Sequence, residues 1–353
     1  MCNRVTPPPR PTSTGGASNG GAAGTSAGGG ASATAGAGGN DGLAGFPAAG
    51  LVFAMRTLDF GEYQKPEEST LGFDLDGACT CLETQTETCT TLKPRAALCD
   101  GPGGRDNSFP RLYKDLLTFG FADSSTVITQ DLDAGRYSVL LRLQNYNGLP
   151  DDNDVKLSFY VGGDSESPQW AGNDKWTVLS TSVNDGDVDK PRVVDSTAYV
   201  TGGMLVASIP TFDENDDRVV IQLNDKFAVA LTGAVMVAKL ETFLGRWRIT
   251  DGTLSGRWRD KDFFEYFSTF RAALEQPTQC TDSIFYPQLK KTFCNYADVS
   301  SSIGDVTGAC SAMSIATRFT AQVAELGAIQ VVVPTPPSTC PPATNPATDS
   351  CAK

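Results

Sequence analysis

The sequence predicts a mainly β protein: an antiparallel β-sandwich of jelly-roll type with a small, disulfide-stapled helical subdomain on its C-terminal side. Three observations predict it. From Leu51 to about Asp260, runs rich in Val, Ile, Leu, Phe and Tyr recur with turn residues between them. No strand–helix alternation runs through that stretch, which argues against a parallel α/β sheet. Beyond residue 260 the apolar spacing becomes helical and cysteines punctuate it.

The strands expected in order are Leu51–Phe60, Leu116–Phe121, Arg136–Gln144, Val155–Val161, Thr177–Thr181, Arg192–Val200, Gly203–Ile209, Arg218–Leu223 and Phe227–Leu240. Next comes a repeat. Gly245-Arg246-Trp247-Arg248 returns as Gly256-Arg257-Trp258-Arg259, with Asp251-Gly252 between the copies. Asp-Gly is a strong hairpin-turn signal. A turn there puts Phe243, Gly245, Trp247, Ile249, Leu254, Gly256 and Trp258 on one face, each Trp opposite a Gly. Arg246, Arg248, Arg257 and Arg259 share the other face with Arg246 opposing Arg257, an arrangement that needs acidic partners or an anionic ligand. After it, Phe263, Phe264, Phe267, Phe270 and Leu274 predict a helix, as do Phe285–Tyr296 and Cys310–Ala324. The resulting division is 1–50, an N-terminus and tether; 51–260, the sandwich; 261–332, the helical subdomain; and 333–353, a Pro/Thr-rich tail.

Composition narrows the chemistry. The chain of 353 residues has a net charge of −13 and a pI near 4.5, which disfavours nucleic acid as a partner. It contains no histidine, which removes Ser-His-Asp and Cys-His catalysis, His-ligated zinc and the HExxH site. It has no apolar stretch of transmembrane length. Ten cysteines suit an oxidising compartment and disulfides. Cys79 and Cys81 are expected to bridge to Cys89 and Cys99 in either order, with a four-cysteine zinc site as the rival reading. Cys340 and Cys351 are expected to close a small loop, and the odd cysteine to fall among Cys280, Cys294 and Cys310.

Met1-Cys2-Asn3-Arg4 resembles the start of a mature bacterial lipoprotein, and that resemblance implies a lipid on Cys2 and a membrane as partner. Residues 6–50 suit a tether: Pro7, Pro8, Pro9 and Pro11 favour an extended segment, and Gly, Ala, Ser and Thr dominate from Gly15 onward. Phe73-Asp74-Leu75-Asp76-Gly77, the run Cys99 to Asn107, Trp247 to Arg257 and Tyr286 to Asp298 together resemble predicted surface lipoproteins of myxobacteria. The resemblance spans most of residues 70–330 and implies an extracytoplasmic protein of an outer membrane or cell surface; it brings no activity with it.

The expected function is therefore non-enzymatic binding of extracellular material, a polysaccharide or a surface protein. Trp170 and Trp176, in a loop of Gly, Asn and Asp, are candidates for stacking on sugar, and Arg246, Arg248, Arg257 and Arg259 for holding an anion or uronate. Ca²⁺ is the cofactor to consider, with Asp185, Asp187, Asp189, Asp213 and Asp216 as oxygen ligands in acidic loops. A structural component of the envelope or of a filament, and a glycan-cleaving enzyme using Asp/Glu pairs, are the alternatives.

Overall fold

Strands that alternate buried and open positions can close on themselves when every edge finds a partner, and here they do. The computed structural model describes residues 3–12, 50–65, 68–81, 88–92, 98–118, 122–209, 218–224, 227–269, 279–305, 308–333 and 336–351. Among these residues twelve strands run β1 Leu51–Asp59, β2 Ser138–Gln144, β3 Asp152–Gly162, β4 Lys175–Leu179, β5 Val183–Asn184, β6 Asp187–Pro191, β7 Val193–Thr201, β8 Met204–Ile209, β9 Val219–Gln222, β10 Ala228–Phe243, β11 Arg246–Arg259 and β12 Ala312–Gln330. The helices are α1 Phe109–Thr118, α2 Ser125–Asp133, α3 Asp260–Thr269 and α4 Tyr286–Tyr296.

The main sheet is an eight-stranded antiparallel barrel in the order β1-β2-β3-β7-β8-β10-β11-β12 and back to β1. This corrects the jelly-roll expectation: there are not two facing sheets but one sheet that returns to itself. β4 lies against β12 in parallel and touches β3, β9 extends β10, and β5–β6 is a small separate hairpin.

The pleat explains the core. Phe53, Leu141, Phe159 and Val193 are partners across four neighbouring strands and belong to one buried cluster inside the barrel. Their chain neighbours Ala54, Leu140 and Tyr160 point outward and are buried under Trp176, Val178 and Val183 from β4 and β5. An eight-stranded barrel is just wide enough for its own side chains, and fully buried Leu254, Ile315 and Phe319 help fill this one. At one end Trp258 meets Phe109, Phe227, Phe263 and Phe293 at 5.2–6.2 Å, so α1, α3 and α4 plug the barrel with aromatic rings.

Several expectations change here. Asp251-Gly252 is not a hairpin turn. The β10–β11 turn is Leu244-Gly245, both with positive φ, between the paired residues Phe243 and Arg246. Asp251-Gly252 lies at a bulge within β11, where the register shifts between Ile249 and Gly252. The bulge slips the side-chain parity by one, so Ile249, Leu254, Gly256 and Trp258 still share the inner side, but Trp258 pairs with Met313 and Trp247 with Thr242. A Cβ on Gly252 would sit 2.4 Å from the Phe319 ring of its partner strand; the ring covers bare backbone there. Arg246 does not oppose Arg257.

Residues 261–332 are not a separate helical subdomain. α3 and α4 form as predicted, with Phe263, Phe264 and Phe267 buried, while Phe270 and Leu274 lie outside the described residues. The third expected helix is β12, the barrel's longest strand. Its Ala, Ser and Thr residues tolerate either period, and alternate Met313, Ile315, Thr317, Phe319 and Ala321 turn inward against β11. Conversely, the strand expected at Leu116 belongs to helix α1, whose Phe109, Leu112, Tyr113 and Leu116 bury one face. Helix α2 went unforeseen. Ser124 caps it, and the buried carboxylate of Glu62 accepts from the backbone N–H (2.9 Å) and hydroxyl (2.6 Å) of Ser125.

The described bridges are Cys81–Cys99, Cys89–Cys310, Cys280–Cys340 and Cys294–Cys351. Disulfides are thus present, as is typical of extracytoplasmic proteins. The pairing differs from expectation. Cys89 reaches the start of β12 instead of its own cluster, and Cys340 and Cys351 bond to Cys280 and Cys294 instead of each other. Cys79 is also disulfide-bonded; the bonding of Cys79 and Cys81 leaves no four-cysteine zinc site. Cys2 and the glycine-rich run 13–49 lie outside the described residues. Among described residues no helix is long and apolar enough to cross a membrane.

Two outcomes follow for stability. Gly252→Ala should cost about 1–3 kcal/mol in chemical denaturation, the usual range for overpacking, and clearly less in a Phe319→Leu background; equal costs in both backgrounds would mean the ring does not set the requirement. The second concerns the tail. Burial raises the Asp349 carboxyl, but Lys290 (2.7 Å), the Ser350 N–H (2.8 Å) and the Tyr286 hydroxyl (2.9 Å) outweigh it and hold the group below its ordinary value of 3.8. A carboxylate depressed in the folded state stabilises above its unfolded pKa and loses that contribution as pH falls through the folded one. The stability gap between the wild type and Lys290→Met should therefore shrink as pH drops from about 5 to about 2; a gap independent of pH would show that Lys290 acts through packing alone.

Candidate functional site

Because side chains fill the interior, a ligand must be met on the outside. The outer faces of β1, β12 and β11 form the floor of a groove of about 510 Å³, and α2 forms its wall. The floor is polar by the same alternation that makes the interior apolar. Thr57 and Thr320 are cross-strand partners joined by a 2.8 Å hydrogen bond, and Arg248 pairs with Gln322. From the wall, Gln130 and Asp133 face the floor. Asp133 is ion-paired with Arg56 at 2.7 Å.

Trp170 stands beside Arg56. Its backbone lies in the left-handed region at φ 55°, which is rare for a bulky residue and costs of order 1–3 kcal/mol. The loop enforces this conformation through one carboxylate: Asp174 accepts from the N–H groups of Gln169 (2.7 Å) and Ala171 (3.0 Å) on either side of the tryptophan. The ring is then fixed on three sides. Its Nε1 donates to the carbonyl of Asp133 at 3.1 Å, the Arg56 guanidinium lies over it at 5.1 Å, and Trp176 supports it at 5.6 Å. Trp170 itself is half-buried, leaving part of the indole open to solvent.

The arginines of the repeat divide between places. Arg248 lines the groove, where its guanidinium lies over the Phe243 ring at 4.5 Å and 3.5 Å from Glu241; its Nε is buried and has no hydrogen-bond partner. A hydrogen bond from Lys239, with further help from Arg248, holds Glu241 below the usual carboxylate range. Arg246 is exposed, and its Cδ would meet a side chain on Gly172 at 3.8 Å, which sets it next to the Trp170 loop. Arg257 is buried elsewhere and donates to the carbonyl of Leu75. Arg259 is bound through two nitrogens to Asp262 at 2.7 and 2.8 Å.

Of the six expected ligand-binding residues, then, Trp170, Arg246 and Arg248 come together. Trp176 is fully buried as the support of Trp170, and Arg257 and Arg259 are committed to other contacts. Sequence reading missed Arg56, Thr57, Gln130 and Thr320, which only α2 and the β1–β12 register bring to the groove. Of the expected calcium ligands, Asp185 pairs with Lys190 (3.0 Å), Asp189 with Arg142, and Asp187 accepts from the N–H of Asp189 (2.9 Å). Asp213 and Asp216 lie outside the described residues. Among the described residues, the carboxylates that gather within reach of one ion are Asp74, Asp76 and Asp106, in another part of the molecule.

No protein-family model, curated protein or solved structure matches the chain.

Proposed function

We propose that the protein is an exported, non-enzymatic binding protein that lays a segment of acidic polysaccharide along the groove between α2 and the β1–β12–β11 face. The observation that carries this reading is Trp170: a half-open indole held in a costly backbone conformation at the side of a polar groove, with Arg56, Arg246 and Arg248 around it. Strained residues persist where the surroundings over-determine them, and they cluster at ligand clamps. An aromatic face suits the apolar face of a sugar ring, threonine and glutamine suit its hydroxyls, and guanidinium groups suit uronate carboxylates.

The groove favours holding over cutting. Glycoside hydrolysis needs two carboxyl groups flanking the bond, about 5–10 Å apart. Among the described residues Asp133 is the one carboxylate lining the groove, and Arg56 already neutralises it. Barrel closure also weighs against a filament component that assembles through an open sheet edge, since the eight main strands all have partners on both sides.

The test uses the full oxidised chain on immobilised polysaccharides, some bearing uronate and some neutral, with retained protein and released sugar both measured. Retention on uronate polymers is expected, weakened by salt and without sugar release. Trp170→Ala and Arg248→Gln should each weaken it about tenfold, equivalent to about 1.4 kcal/mol. Unchanged retention in both variants, released sugar, or no retention on any polymer would each sink the reading.

A further inference from the structure

Away from the groove, the described residues 68–81, 88–92 and 98–107 fold over the outer faces of β11 and β12 at the end that holds the aromatic plug. It is stitched there by named bonds. Ser108 donates its N–H to Ser314 Oγ (2.8 Å), Ala316 donates to Asn107 Oδ1 (3.1 Å), and Arg257 donates to the carbonyl of Leu75. Residues 3–12 add an extended layer, with Val5 N–H bonded to the Gly103 carbonyl and Asp74 N–H to the Val5 carbonyl. The Cys81–Cys99 bridge ties the two halves of the lobe, and Cys89–Cys310 ties the lobe to the start of β12. Gly104, at φ 70°, admits no side chain, because a Cβ would lie 2.8 Å from both the Ala78 carbonyl and the Cys79 sulfur.

This lobe concentrates carboxylates. One oxygen from each of Asp74, Asp76 and Asp106 lies within 4.8 Å of the others, the widest spacing two oxygens can have on opposite sides of one ion at about 2.4 Å. Asp100 and Asp298 stand close enough for their charges to act on Asp106. Backbone donors aim the group: Leu75 N–H reaches Asp106 (2.6 Å), Gly77 N–H reaches Asp74 (2.7 Å) and Ala78 N–H reaches Asp76 (2.9 Å). The side chain of Asp74 is only 1% exposed, yet its Oδ2 has no hydrogen-bond partner and its nearest cation, Arg4 Nε, is 3.8 Å away.

Guanidinium groups stand among these carboxylates: Arg257 acts on Asp76, Asp106 and Asp298, Arg4 on Asp74, and Arg111 on Asp298.

We propose that Asp74, Asp76 and Asp106, backed by Asp100 and Asp298, bind one Ca²⁺ ion. A divalent cation gives the buried Asp74 oxygen a partner. The donor set is all oxygen, which suits a hard cation. Irregular carboxylates drawn from a loop suit the flexible coordination of Ca²⁺ better than the strict octahedron of Mg²⁺.

The experiment strips the full oxidised chain with chelator and titrates it with CaCl₂ by calorimetry, with thermal unfolding measured in parallel. One ion per chain is expected, with a dissociation constant of about 0.1–1 mM, as in extracellular calcium modules, and a midpoint that rises with Ca²⁺. Asp106→Asn and Asp74→Asn should weaken binding at least tenfold. Asp76→Asn, at a more open position, serves the same purpose if the buried variants do not fold. Three results would each overturn the proposal: no heat and no midpoint shift with about 10 mM Ca²⁺, full binding in all three variants, or binding abolished only by neutralising Asp185, Asp187 and Asp189 together. MgCl₂ matching CaCl₂ at equal concentration would overturn the choice of ion.

Discussion

The whole arrangement hangs on β12. This strand, Ala312–Gln330, pairs with β11 along one side and with β1 along the other, so it joins the last strand of the barrel to the first. Its end carries β4 in parallel, and the residue just before Ser311 is Cys310, bonded to Cys89. Remove the β1–β12 register and the sheet has two open edges, the groove loses half its floor, and the lobe loses the strand it rests on. The pairing is also the hardest to reach in folding, since it unites the two ends of the domain and the loop-closure entropy comes before the reward. The bridge from Cys89 to Cys310, with a sequence separation of 221, constrains the unfolded chain across nearly the same distance.

A filled barrel leaves function to its outside, and strict alternation decides where. Along β11, Ile249, Leu254, Gly256 and Trp258 turn inward, while Arg248 and Arg257 turn outward at opposite ends of the strand. β12 repeats the arrangement, with Thr320 and Gln322 on the groove floor and Ser314 and Ala316 under the acidic lobe. Two surfaces of opposite charge therefore share two strands. The cysteines concentrate on the lobe and around α3 and α4, whereas the groove owes its order to the sheet, α2 and the carboxylate of Asp174.

Most strands were legible in the sequence because their period of two is written in branched and aromatic residues, as in Ser138–Gln144 and Val193–Thr201. Closure was not. A sandwich and a barrel draw on the same alternation, and only the pairing of Val52 with Ala324 and Asp59 with Arg318 tells them apart. β12 itself read as a helix because its alanines, serines and threonines fit either period. Asp251-Gly252 carried a true turn signal used for a bulge, and the inner face of Ile249, Leu254, Gly256 and Trp258 survived because a bulge and a tight turn shift parity alike, whereas Phe243, expected on that face, pairs with Arg246 and is exposed. At the groove, Trp170 and Arg248 were legible as chemistry, but Arg56 and Thr320 reach it only through the barrel's closing register. The lobe's carboxylates were hidden in plain view: Asp74, Asp76, Asp100, Asp106 and Asp298 all stand in the sequence, yet no local spacing joins 76 to 106 or 298.

The Gly-Arg-Trp-Arg repeat shows how environment assigns roles to identical residues. At Asp262, Arg218 (2.6 Å) and Arg259 (2.7 Å) converge on one buried carboxylate, with Asp260 beside them, and both oxygens of Asp262 are bonded. At the lobe, among the described residues, Arg257 is the buried guanidinium among the carboxylates, and its Nε lacks a hydrogen-bond partner. A buried ion-pair network that existed only to hold the fold would be expected to satisfy its own charges, because an uncompensated buried carboxylate costs several kcal/mol. The Asp262 oxygens have their partners, whereas in the lobe the buried Oδ2 of Asp74 lies 3.8 Å from Arg4 and has no hydrogen-bond partner. That orphaned oxygen, and not acidity alone, sets the lobe apart from the rest of this acidic chain.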